Sequence, residues 1–194
     1  MDEDDFVKAG MEVVLRPVTE IAENALGLIG GDWLSEKRAR NRAKLKAETE
    51  QILRNRGAKL DDDPSPSVIK PLLSAAQDES RDELTKLWAG LLATAMNPAT
   101  KGFYRYEFVE ITKHLNPIDA QVLELCELPS EFDPTKRDFI AHRLGVETDQ
   151  IIVSFGNLAK LELIFPAPGM IINWRNQPSV TPFGRQFLRA VRAA

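Results

Sequence analysis

The chain has 194 residues, with 25 Lys and Arg against 29 Asp and Glu, a net charge of −4 and 43% hydrophobic content. Those proportions belong to a globular protein long enough to bury a core without metals or disulfides. One cysteine, Cys126, excludes an internal disulfide framework, and two histidines, His114 and His142, are too few for a Cys/His zinc site.

The opening MDEDD carries the wrong charge for a secretory signal. The longest uncharged runs, Leu87 to Thr100 and Leu163 to Trp174, are too short to span a membrane. A cytoplasmic location is the expectation. Charge divides sharply along the chain: residues 1–35 carry eight acids and two bases, and residues 36–59 nine bases and three acids.

Apolar residues at Met11, Val14, Val18, Ile21, Ala25 and Leu28 recur in steps of three and four, which predicts a helix interrupted at Pro17 and ended by Gly30-Gly31. Asp32 is placed to cap a second helix over about 33–56, ending before Gly57. Its apolar stripe is thin (Leu34, Leu45, Ile52), so most of its surface should face water or a partner. Lys37, Arg38, Arg40, Arg42, Lys44 and Lys46 follow one another there with no acid between them. They are the candidate surface for a polyanion or partner: nucleic acid, an anionic membrane surface or an acidic protein patch. The competing account folds this helix back on the acidic segment before it, so that the charges cancel. Reversing Arg38, Arg42 and Lys46 to Glu is expected to leave the fold intact.

LDDDPSPS at 60–67 has loop composition. Ser65-Pro66 then opens a helix with Ile69, Leu72, Leu73 and Ala76 on its inner face. Ser80 and Glu83 form a capping-box pattern ahead of Leu84, Leu87, Trp88, Leu91, Leu92 and Ala95, which should be core, in a helix that stops at Asn97-Pro98. Asp78, Glu79, Asp82 and Glu83 could offer an acid/base pair or a divalent-cation site. Acids in a first helical turn also suit the helix dipole, and that is the expectation here. A helix over about 106–115 uses Phe108, Ile111 and Leu115.

Beyond residue 115, Asn116-Pro117, Asp133-Pro134 and Thr181-Pro182 each set a capping residue before a proline. They predict helices over about 117–127, 134–143 and 182–192, with another over 148–161. Two strand-like pieces, LIF at 163–165 and MIINW at 170–174, flank the turn PAPG. The expected fold is mainly α: an all-helical domain over 1–115, then a winged-helix-like domain with a small β-hairpin over 116–194. Phe155, Leu158, Phe183 and Phe187 should meet beneath that hairpin. The would-be recognition helix opens with Glu147 and Asp149 and offers DNA only Gln150, Asn157 and Lys160, so its charge opposes phosphate binding.

GDWLSEKRARNRAKL, PLLSAAQDESRDELTKLWAGLLATAMNP and FVEITKHLNPIDAQVLELC together resemble the abortive-infection alpha family over about residues 20–126. The resemblance implies a bacterial cytoplasmic protein connected with phage exclusion, and it carries over no catalytic residue. No phosphate loop, dinucleotide fingerprint, nucleophile elbow or zinc-protease motif is present. No catalytic, cofactor-binding or metal-binding residue is therefore expected. The expected function is non-enzymatic defence through binding to a host, phage or partner component, and the alternative is a winged-helix DNA-binding transcriptional regulator. A protein partner is expected, nucleic acid belongs to the alternative, and self-association through the amino-terminal helices stays open.

Overall fold

The computed structural model describes residues 31–58, 64–127, 136–165 and 179–192. The helix expected over 11–28, the Asp133-Pro134 start and the MIINW segment lie outside the described residues. Among those described, the chain forms eight α-helices, one 3-10 turn at Lys101–Phe103 and no strand. The helices are α1 (Gly31–Asn55), α2 (Pro66–Ala76), α3 (Asp82–Met96), α4 (Glu107–His114), α5 (Pro117–Cys126), α6 (Lys136–Leu144), α7 (Thr148–Lys160) and α8 (Pro182–Val191). They fall into two compact units. One comprises the chain up to Lys113 together with residues from Ala190 onward; the other is His114–Arg189.

In the first unit, α1 and α2 both pack on α3. Every residue of α3 from Leu87 to Met96 is buried, as are Leu84 and Thr85, so this helix is the axis of the core. α2 buries Ile69, Leu72, Leu73 and Ala76, the face its spacing predicts. Pro71 lies inside α2 and has no N–H for the Ser67 carbonyl four residues back. The Tyr106 hydroxyl donates to that carbonyl instead, at 3.1 Å. α1 ends where Gly57 takes the left-handed conformation (φ +54), with Gly57 N–H donating to Arg54 O and Ala58 N–H to Leu53 O, both at 3.0 Å. Phe108 and Ile111 of α4 are buried, as is Leu115, which belongs to the second unit.

The chain's last described residues return to this unit. A Cβ built on Gly90 of α3 would lie 2.9 Å from the Val191 Cα and closer still to its carbonyl, so backbone meets backbone there. Around that contact Thr94 Oγ1 donates to the Ala190 carbonyl at 2.7 Å. The Arg56 guanidinium donates to Thr94 Oγ1 at 3.1 Å and also to the Arg192 carbonyl.

In the second unit, α5 and α6 both pack on α7. Ile140, Ile151, Phe155, Leu158, Leu163 and Phe187 are buried, while Phe183 is only half-buried. Of the expected hairpin only the 163–165 arm is described, the MIINW arm lying outside the described residues. Residues 163–165 contribute one isolated antiparallel bridge, Ile164 to Val180, framed by Phe165 N–H to Ser179 O (2.8 Å) and Thr181 N–H to Leu163 O (3.0 Å). Pro182 starts α8 directly after Thr181, which ends the pairing on that side after a single bridge. Over the described residues this unit is helical apart from that bridge.

Candidate functional site

Helix α1 is anchored differently along its two halves. Leu45, Thr49, Ile52 and Leu53 are its buried residues, and all lie in the second half. From Trp33 to Lys44 no residue is buried. That first half is held to the start of α3 by polar contacts. Arg38 makes a two-pronged pair with Asp78, Nη2 to Oδ2 being 3.0 Å. The Asn41 side-chain amide donates to the Gln77 carbonyl at 2.9 Å. Lys44 pairs with Asp82. The basic block and the acid cluster are therefore one site, brought together by the turn between α2 and α3.

The remaining candidate cations are disposed differently. Lys46 approaches Glu50 at 3.9 Å one turn along the helix, and Arg54 reaches the same carboxylate from the other side at 3.8 Å. Arg42 is half-buried, and its Nη1 has no hydrogen-bond partner among the described residues. Lys37 lies 5.3 Å from the centroid of the Trp33 ring, a cation–π contact. Arg40 is exposed. With Arg38 facing Asp78 and Arg42 half-buried, reversing Arg38, Arg42 and Lys46 would set like charge against Asp78 and put a carboxylate at a half-buried position, a cost that the sequence alone did not reveal. The outward face is Trp33, Lys37 and Arg40, at helical positions i, i+4 and i+7, with the Trp33 ring 66% exposed.

The acids are committed as well. Glu79 is gripped by its neighbour Arg81, with Nε to Oε1 and Nη2 to Oε2 both at 2.8 Å, and Oε1 also accepts the Ser80 and Arg81 backbone N–H groups. Burial pushes the Glu79 carboxyl upward, but the Arg81 and backbone hydrogen bonds outweigh it and hold the group below its ordinary value. Lys44, first by its hydrogen bond and then by its charge, holds the Asp82 carboxyl below the usual range. The expected Ser80–Glu83 capping box is corrected: Arg81 is the N-cap of α3 and makes no side-chain capping bond, because Glu79 already serves the two amides ahead of the helix.

Elsewhere, the carboxylate of Asp119 is buried in the second unit. Oδ1 accepts from the Ser154 hydroxyl at 2.6 Å, and Oδ2 accepts from Asn157 Nδ2 and the Asn116 backbone N–H, both at 2.8 Å. Asn157 Nδ2 also donates to the His114 carbonyl at 3.1 Å. This network ties the start of α5 to α7 and occupies a side chain that was a candidate for base contacts. Glu147, Asp149, Gln150 and Lys160 are exposed. His114 and His142 are exposed, and Cys126 is buried. Among the described residues no group of three or more His, Cys, Asp and Glu side chains could hold a metal ion, and no helix is long and apolar enough to cross a membrane.

Trp33, Asn41 and the pairing of Asp78 and Asp82 with the basic helix are what sequence reasoning missed. The proximity of Trp33 to Lys37, four residues on, was the available signal for the aromatic. A family model described as abortive infection alpha matches residues 37–191, which takes in all six basic positions and both paired aspartates. No curated protein and no solved structure matches the chain.

Proposed function

The chain belongs to the abortive infection alpha family, and we propose that it serves phage defence by binding a protein component of the host, the phage or a partner system, without catalysing a reaction. The observation that supports this reading is the outward face of α1. There an exposed tryptophan and two cations stand clear of the ion pairs that engage their neighbours. An exposed aromatic beside Arg and Lys is the composition of a binding hot spot, and no packing demand accounts for it.

Plating a broad phage panel on cells with and without the gene, and with the Trp33→Ala, Lys37→Glu, Arg40→Glu variant, tests the proposal. These three side chains have no inward partner, so the variant should fold, and it should lose the plating defect that the parent confers. A folded triple variant with full protection removes α1 from the account, and unchanged plating across the panel removes the defence role. Recovery of specific DNA fragments during infection would promote the transcriptional-regulator alternative, which the exposed Glu147 and Asp149 of α7 disfavour.

A further inference from the structure

We infer that the outward face of α1 pairs with the same face of a second copy of the chain, antiparallel, about a two-fold axis level with Leu45. The choice of face rests on the binding role argued above, to which the pairing adds a partner.

The face has a repeat of its own. From Trp33, the positions Glu36, Arg40, Ala43, Ala47, Glu50 and Arg54 follow in alternating steps of three and four. They lie on the side of the helix away from Leu45, Thr49, Ile52 and Leu53. Steps averaging 3.5 residues keep one seam of a helix turned toward a partner along its whole length, the spacing by which paired helices meet. All seven residues are exposed except Glu50, whose side chain is 15% exposed at the edge of the face. Packing within the chain explains the buried stripe of α1 and leaves this second stripe uncovered among the described residues.

The order of residues along the seam selects a second copy. Two alanines hold its centre, and the charges mirror one another in sign about them: Glu36 and Arg40 before, Glu50 and Arg54 after. Turned end for end, the seam meets itself with Ala43 opposite Ala47, Arg40 opposite Glu50 and Glu36 opposite Arg54. Each position therefore answers its counterpart in size or in charge, and the two-fold axis repeats every pair. The alanines let the helices approach closely at the axis. The charges are available for pairing: the side chains of Glu36 and Arg40 make no hydrogen bond or ion pair among the described residues. Arg54 is half-exposed and stands 3.8 Å from Glu50, beyond hydrogen-bond range.

At the ends, each exposed Trp33 ring comes over the end of α1 in the other copy. Gly57 is exposed there, and a Cβ built on it would meet nothing within 4 Å, so the surface is open to an aromatic ring. A parallel pairing would set Glu36 on Glu36 and Arg54 on Arg54. A polyanion would meet Glu36 as well as the arginines. Neither fits the seam.

The test is sedimentation equilibrium of the full chain at low salt over a range of concentrations. The parent should associate reversibly to a dimer, and added salt should weaken it, because its ion pairs lie at the surface. Glu36→Arg alone, or Arg54→Glu alone, brings like charges together in two symmetry-related places and should raise the dissociation constant about tenfold. Combining the two exchanges restores opposite charge between copies and should return the constant to within about threefold of the parent. An equimolar mixture of the two single variants supplies the same opposed pairs across chains and should dimerise as well as the parent, whatever either reversal does within its own helix. Ala43→Glu, at a position exposed in the single chain, should abolish the dimer. A parent that is monomeric at every concentration, a dimer indifferent to both single reversals, or a combined exchange no better than either one overturns the proposal. A dimer with this pattern and no plating phenotype keeps the pairing and removes the defence role. A plating phenotype that depends on Trp33, Lys37 and Arg40 in a monomeric chain keeps the binding role and removes the second copy as its partner.

Discussion

Gly90 and Val191 meet through their backbones: the α-carbon of one presses on the carbonyl of the other, leaving no room for even a methyl group. Gly90→Ala therefore has no side-chain rotation by which to escape, and either α3 or the end of α8 must shift. Overpacking of this kind costs about 1–3 kcal/mol. Urea unfolding should show a lower midpoint, with the free energy of unfolding reduced by that amount. An alanine variant as stable as the parent would mean that the contact is not maintained.

Arg38 and Asp78 provide a second measurement. A double-mutant cycle with Arg38→Gln and Asp78→Asn should give a coupling of only about 0.5–1 kcal/mol, because Asp78 is half open to water, and raising the salt should erode it. A coupling several times larger, or one indifferent to salt, would contradict a pair whose carboxylate is half open to water.

Asp119 should behave in the opposite way. Its carboxylate is 1% exposed and receives three hydrogen bonds, so Asp119→Ala strands the Ser154 hydroxyl, the Asn157 amide and the Asn116 N–H together. The expected loss is about 2–4 kcal/mol, and Ser154→Ala alone about 1 kcal/mol. Thermal or urea unfolding of the two variants compares them directly.

Tyr104 sets an alkaline limit. Burial, with smaller contributions from Tyr106 and Glu107, pushes its phenol up to about 12 from 10.0, and its hydroxyl has no hydrogen-bond partner among the described residues. The folded state thus keeps a proton that the unfolded chain releases. The stabilising contribution is complete below pH 10 and is lost as pH rises toward 12. Absorbance at 295 nm, taken as the difference between the parent and Tyr104→Phe, should show the tyrosinate appearing near pH 12. The same substitution removes an orphan hydroxyl and should leave neutral-pH stability equal or slightly higher.

The helical part of the fold was legible because apolar spacing is a local property. Ile69, Leu72, Leu73 and Ala76, or Leu84, Leu87, Trp88, Leu91 and Leu92, declare their buried face within one or two turns, and the structure buries each of them. Asn116-Pro117 marked the start of α5, since a capping residue before proline is equally local. The site was not legible in the same way. Arg38 and Asp78 are 40 residues apart, and charge carries no periodicity that identifies its partner. Nearly all of the acid-rich amino-terminal segment, proposed as the counterpart of the basic block, lies outside the described residues; among those described the block meets Asp78 and Asp82, two of the four acids that looked self-sufficient as a helix start. Glu79 likewise displaced the Ser80–Glu83 capping pattern because its carboxylate accepts the Ser80 N–H that Glu83 would have served. The hairpin was read from two strand-like pieces flanking the turn PAPG, whereas the bridge from Ile164 to Val180 depends on where the chain returns.

The return of residues 190–192 to Gly90, Thr94 and Arg56 has a bearing on synthesis. A ribosome delivers the chain from its amino terminus, so α1 to α4 emerge well before the backbone that covers Gly90. Until residues 190–192 have been made, Gly90 lacks its backbone neighbour at Val191 and Arg56 its acceptor at Arg192. The first unit thus reaches its final state only after the second has been made, and a nascent chain stalled short of Ala190 would present a surface that the finished protein never shows.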